Sequence, residues 1–173
     1  MIKLIAILMV LSYSTALGQE EKKEPVFNLG LGYGIDYGGV IGIKASLITF
    51  TPQFELCAGL GYNLARFGWN AGLLLRTSPS RKVALLLNPM YGYNGVIISK
   101  NNSTVGNVKD GKIYYGPSVE TGIELRFSPK GFLKLGIIIP FQSSGFKNDI
   151  VKYNATDPWP ILPSIGWHFV FSK

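Results

Sequence analysis

His168 is the only histidine in the chain, so Ser-His-acid catalysis or an imidazole metal site would rest on that one side chain. It falls on the polar parity of an alternating run, close to the C-terminus, which reads as a packed structural histidine. Cys57 is the only cysteine, which excludes an intrachain disulfide. It reads as a small buried thiol rather than a nucleophile. Glycines spaced by two, such as Gly30, Gly32 and Gly34, follow strand alternation instead of opening a helix, so they build no phosphate loop. No catalytic set, metal site or cofactor is expected.

The residues with the most chemistry in them are ionisable ones on the polar parity: Lys44, Glu55, Arg76, Glu120, Glu124, Arg126 and Lys134. Both signs are present, and in a narrow interior each charge needs a partner to offset its desolvation. A structural ion-pair network is the expectation. The competing reading is a gated water path, but a barrel of eight strands is generally filled by its own side chains. Lys100, Lys109, Lys112, Lys147 and Lys152 lie in or beside the long connections, where they could meet lipid phosphates. The sequons at Asn101 and Asn154 read as incidental.

The elements that must hold these residues follow from the pattern of the chain. Lys3, the apolar run Leu4 to Leu11 and the small residues near Gly18 have the layout of a secretory leader over residues 1–18. Residues 19–25 are a polar lead-in, and 26–173 form one domain. Of seventeen basic residues only Lys3 leaves with the leader, so the exported chain stays basic against ten acids, which favours anionic partners but carries no nucleic-acid motif. The chain is 47% hydrophobic with positive mean hydropathy, yet beyond residue 18 no apolar run reaches helical spanning length.

The apolar content is instead distributed by twos. Phe27, Leu29, Leu31, Tyr33, Ile35 and Tyr37 share one parity, with Asn28, Gly30, Gly32, Gly34 and Asp36 on the other. The pattern recurs from Ile41, Phe54, Phe67, Val83, Ile113, Leu133 and Ile161, which makes eight runs. Short proline-bearing connections at 49–52, 77–80 and 128–131 mark one rim. The other rim has the Asp36–Gly39 turn, a tight link at 64–66 and long loops at about 95–111 and 142–157. Such asymmetry is the habit of outer-membrane barrels.

A soluble barrel would turn its apolar face inward around a ligand, as a lipocalin does. Here the glycines of all eight runs lie on the polar parity, while the bulky side chains, Trp69 and Trp167 among them, lie on the other. That volume exceeds the interior of an eight-stranded barrel, so the apolar face must meet lipid. Tyr33, Tyr62, Trp69, Tyr91, Tyr93, Tyr115, Trp159 and Trp167 are the expected interfacial aromatics.

The last run, Ser164 to Phe171, resembles the C-terminal assembly signal of outer-membrane barrels, with Gly166, Phe169 and Phe171 as its marks. Ser172 and Lys173 follow the last aromatic, which departs from that pattern. Over residues 26 to 171 the layout resembles the small OmpA/OmpX-type barrels and the outer-membrane β-barrel proteins of Bacteroidota-like bacteria, without a peptidoglycan-binding domain. The resemblance implies biogenesis through the barrel-assembly machinery. The expectation is therefore an all-β, eight-stranded antiparallel up-and-down transmembrane β-barrel, exported to a bacterial outer membrane. It would be monomeric, in contact with membrane lipid and lipopolysaccharide. Its role is expected to be non-enzymatic, through loops 95–111 and 142–157; the alternatives are a lipid A-modifying enzyme and a secreted lipocalin-like carrier.

Overall fold

The structure, a computed structural model, describes residues 27–48, 51, 53–63, 66–77, 81–98, 111–153, 155 and 159–171. The expected leader and lead-in lie outside the described residues, as do Pro52, Pro79, Lys100, Lys109, Asn101 and Asn154. Eight strands follow in order: β1 (Phe27–Gly34), β2 (Gly39–Ile48), β3 (Phe54–Tyr62), β4 (Phe67–Arg76), β5 (Val83–Ile98), β6 (Gly111–Ser128), β7 (Gly131–Pro140) and β8 (Leu162–Phe171). One helix, α1 (Ser144–Lys152), stands between β7 and β8. Each strand pairs antiparallel with its sequence neighbour, and β8 closes on β1 with Phe171 opposite Phe27. Closure leaves the ladder without an edge. Among the described residues no helix is long and apolar enough to cross a membrane; this bears on helices only.

The period-two pattern sets the faces. Along β3, Glu55, Cys57, Gly59 and Gly61 are buried, while Phe54, Leu56, Ala58, Leu60 and Tyr62 face out. Two departures from the sequence expectation occur in the first connection. β1 stops at Gly34 instead of running on through Tyr37, and Ile35–Tyr37 form a 3-10 turn inside the lumen rather than a loop on the rim. Gly34 at φ 134° and Gly38 at φ 81° make the reversal, conformations costly for any residue with a Cβ. The Gly38 N–H closes the turn on the Ile35 carbonyl at 2.9 Å. Ile35 and Tyr37 therefore face inward, against the outward parity expected of them.

A row of glycines makes room for this turn. Gly166, Gly32, Gly42, Gly61 and Gly68 are direct cross-strand partners in succession across β8, β1, β2, β3 and β4. A Cβ at Gly32 or Gly166 would strike the Tyr37 ring, one at Gly42 or Gly61 the Tyr37 carbonyl, and one at Gly68 the Gly38 carbonyl. The lumen-facing glycines are thus more than small fillers. They let a second layer of backbone lie against the wall.

At the other extreme, β5 and β6 outrun their neighbours. β4 last pairs Asn70 with Gly92, and β7 last pairs Pro140 with Ser118. Beyond these points β5 and β6 pair in register only with each other, from Tyr93 with Tyr115 to Ile98 with Gly111. At about 3.3 Å per residue the ribbon projects some 20 Å along the strand. Against it packs α1, where the sequence reading has a loop. Ser143 caps the helix by accepting the Phe146 N–H at 3.2 Å, and Phe146 and Ile150, one turn apart, bury against Ile97 and Tyr114. The Phe146 ring lies over Gly95 and edge-on to Tyr114 at 4.8 Å. Asp149 accepts hydrogen bonds from Lys112 Nζ at 2.5 Å and from the Tyr114 hydroxyl.

These contacts give expected outcomes at the glycine row, in α1 and at Asp149. Gly61→Val places carbons against backbone carbonyls that cannot yield, so denaturant unfolding should show a loss of about 1–3 kcal/mol or more. Gly145→Ala, whose Cβ meets only Ser143 Oγ at 3.9 Å, should be neutral or stabilising. Asp149 is held below its ordinary value of 3.8 by the bonds from Lys112 and Tyr114, so the contribution of this contact is present above that value and is lost as pH falls beneath it. Protection factors of the 144–152 amides, corrected for the intrinsic pH dependence of exchange, should fall on going from about pH 6 to about pH 3, and Asp149→Asn should remove most of that difference.

Candidate functional site

The lumen is stacked in layers from the turn rim towards the loops. Nearest the turns, Arg76 lies between two carboxylates, with Nη1 at 2.8 Å from Glu55 Oε1 and Nη2 at 2.8 Å from Glu124 Oε1. Arg126 reaches Glu124 at 3.5 Å. Phe132 faces both guanidiniums, at 5.7 Å from Arg76 and 4.8 Å from Arg126. Stacking of this kind holds cations against an apolar surface without desolvating them fully.

The next layer joins Asn28, Ser46 and His168. Asn28 Nδ2 donates to Glu55 Oε2 at 3.0 Å, so Asn28 Oδ1 is left as an acceptor. Ser46 Oγ lies 2.7 Å from both Asn28 Oδ1 and Glu55 Oε2, and has one proton to place between them. His168 Nδ1 is 3.1 Å from Asn28 Oδ1, which requires Nδ1 to carry the proton. His168 Nε2 is then the acceptor for the Tyr37 hydroxyl at 2.7 Å. Phe132 stacks on the imidazole at 4.7 Å with an interplanar angle of 7°. Both nitrogens are committed and the ring is enclosed, as expected for a structural histidine.

Above it sits a second charge cluster. Lys44 Nζ is 3.1 Å from Asp36 Oδ2 and 3.5 Å from Glu120 Oε2. Lys134 Nζ is 2.6 Å from Glu120 Oε1 and also pairs with Asp36. Asp36 takes a further bond from Ser164 Oγ at 2.8 Å, and Asn88 Nδ2 donates to Glu120 at 2.9 Å. The Tyr37 ring lies under both ammoniums, at 4.8 Å from Lys134 and 5.8 Å from Lys44. An apolar layer of Ile35, Met90, Tyr93 and Ile138 closes the stack. Cys57 lies in the lumen wall with Leu74 and Leu86, its thiol 3.4 Å from Asn88 Oδ1.

All seven expected lumen charges are inside, and the structure adds Asp36. Without it the set holds four cations against three acids; with it the lumen is neutral at four against four. That missing acid is the signal by which Asp36, already on the inward parity, can be found. The ion pairs form two clusters, linked through Asn28, His168 and Tyr37, and Lys44, Glu55, Glu120, Glu124 and Lys134 are all 2% exposed or less. Among the described residues these side chains fill the lumen at both charge layers. Among the described residues no cluster of histidine, cysteine or acids could hold a metal ion.

Seven of the eight expected interfacial aromatics face outward. Trp69 stacks on Tyr115 at 5.6 Å, Tyr62 meets Phe67 at 5.9 Å, and Trp167 stacks on Phe127 at 5.9 Å; Tyr33, Tyr91 and Trp159 are exposed. Tyr93 is the exception, being 5% exposed and packed on Ile35 and Ile138. The register shifts between Tyr93 and Gly95, and a bulged strand loses its alternation, so Tyr93 and Asn94 both turn inward. Phe169 and Phe171 face outward on the seam strand β8, while Gly166 faces in beneath Tyr37.

Removing one member of the Lys44–Asp36–Lys134–Glu120 cluster leaves a buried charge unmatched. Asp36→Asn should cost about 3–5 kcal/mol in urea unfolding. Pairing it with Lys44→Met restores the balance, so the double variant should lose less than the sum of the two single losses.

No family model matches the sequence, and no curated protein matches it. Among solved structures, a major outer membrane protein from Thermus thermophilus matches with a TM-score of 0.47 and 17% identity, over 86% of this chain and all of that one. The N-terminal β-barrel domain of Pseudomonas aeruginosa OprF matches with a TM-score of 0.52 and 10% identity, over 86% of this chain and 98% of that one. At that identity the likeness is one of fold, and it bears out the layout read from residues 26 to 171: this chain is a small, closed, eight-stranded β-barrel of the kind seen in the OprF barrel domain.

Proposed function

We propose that the protein is a monomeric, non-enzymatic barrel of the bacterial outer membrane, exported by its leader, with its ribbon, helix and loops presented at the cell surface. The observation that carries this reading is the inverted polarity of the wall. Leu31, Ile41, Ile43, Leu56, Leu60 and Leu85 are each more than half exposed, while the charged residues on the inward parity are enclosed. Water would disfavour that wall at roughly 25 cal/mol for each Å² of apolar surface, whereas hydrocarbon accepts it. The outward aromatics towards both strand ends suit the two lipid interfaces.

The same polarity speaks against the carrier reading, because a lipocalin-like pocket needs apolar walls inside. Lipid A modification finds no support in the position of His168, which is enclosed by Phe132 and engaged by Tyr37 and Asn28. The surface role then falls to the regions about 95–111 and 142–157, where the β5–β6 ribbon and α1 stand clear of the wall. During biogenesis Gly166, Phe169 and Phe171 would mark the chain for the assembly machinery. Lipopolysaccharide is the expected lipid around the loop rim.

Fractionation tests the reading directly. The protein should resist carbonate extraction and migrate on gels in a heat-modifiable way, and a soluble periplasmic protein would overturn it. Leu87→Arg should cost about 2–4 kcal/mol and hinder assembly, as a charge near the lipid midplane does, while Val151→Arg on the exposed face of α1 should not. Overexpression should leave the lipid A mass spectrum unchanged; a change abolished by His168→Ala would replace the non-enzymatic reading.

A further inference from the structure

With the lumen charges cancelling one another, the chain's surplus of positive charge is carried outside it, and part of it lies at the turn rim, where no exposed acid stands among the described residues. Arg81, Lys82 and Lys130 are exposed there, and none of them forms an ion pair with a described residue. The acids at that level, Glu55 and Glu124, are fully buried and committed to Arg76 and Arg126. The three cations belong to adjacent hairpins. The Arg126 N–H donates to the Lys82 carbonyl at 2.8 Å, which sets Lys82 beside β6 one residue from Phe127. Lys130 sits in the two-residue turn between β6 and β7, its carbonyl accepting the Val170 N–H of β8 at 2.9 Å.

Directly beside these cations lies an aromatic floor. Phe127 on β6 and Trp167 on β8 stack at 5.9 Å and 11°, although β7 runs between their strands. Gly131 makes that possible, since a Cβ there would lie 3.2 Å from the Trp167 ring. The patch thus has rings at the level of the acyl boundary, with cations that have no ion-pair partner among the described residues just beyond them at headgroup height. Cations of this kind engage phosphate, and rings suit the glycerol region of the same molecule.

We propose that the turn rim around Arg81, Lys82, Lys130, Phe127 and Trp167 is a binding surface for anionic phospholipid of the leaflet that meets the turns. This rests on the outer-membrane reading. The lead-in 19–25 of the same chain is a poorer occupant. Its three glutamates are opposed by two lysines, so its net charge matches one cation and not three.

The test uses the full-length exported protein in phosphatidylcholine nanodiscs containing a titrated fraction of cardiolipin, with retained lipid read by native mass spectrometry after gentle delipidation. Retained cardiolipin on the parent protein is expected. The triple variant Arg81→Gln, Lys82→Gln, Lys130→Gln should lose about fivefold in apparent affinity per cation, on the order of a hundredfold in all. Lys147→Gln with Lys152→Gln at the opposite rim should leave retention unchanged. Heat-modifiable migration of each variant confirms that the barrel is intact. Equal retention by the triple variant and the parent overturns the proposal, as does an equal loss in the α1 variant, which would make the effect one of general charge. Failure of the parent protein to enter nanodiscs would overturn the membrane reading itself, whereas entry without cardiolipin preference would overturn only this inference.

Discussion

Two ammoniums enclosed in a narrow lumen need carboxylates standing against them, and one of those carboxylates comes from an inserted turn rather than from a strand of the wall. Lys44 and Lys134 project inward from β2 and β7, and Glu120 from β6 meets both. One acid cannot balance two bases, so Asp36 is brought in on a turn that leaves β1 and folds back into the barrel. Much else follows from that need. The turn requires reversal at Gly34 and Gly38, and its carbonyls require the glycine row of β2, β3 and β4. Its tyrosine requires Gly32 and Gly166, and in return supplies a ring beneath both lysines and a hydrogen bond to His168 Nε2.

What could be read in the sequence and what could not divides along the line between parity and register. Alternation alone places Lys44, Glu55, Arg76, Glu120, Glu124, Arg126, Lys134, Cys57 and His168 inside, because a residue's face depends only on its own strand. Which charges meet depends on how strands are staggered, and no single strand contains that information. The glycines show the same division: each one's inward parity is visible in its own run, whereas their alignment into a row appears only when five strands are placed side by side.

The misplaced elements have local causes. Gly34, Gly38 and Gly39 have the composition of a rim turn whether the chain turns over the edge or into the lumen. Tyr93 keeps an outward parity in the sequence because a bulge at Asn94 leaves no mark in an alternating pattern. The helix 144–152 buries only Phe146 and Ile150, too short an apolar signal to separate from a polar loop until Gly95 and Tyr114 supply the surface it packs on.

The glycine row also ties the seam of the barrel to its interior. Tyr37 is held between Gly32 of β1 and Gly166 of β8, which are direct partners across the seam that closes the barrel. A side chain at either position would meet the ring, and the ring is carried on the same turn as Asp36. The joint between the first and last strands is therefore fitted to the interior as well as to itself, and its two glycines serve the charge balance of the lumen without touching a charge.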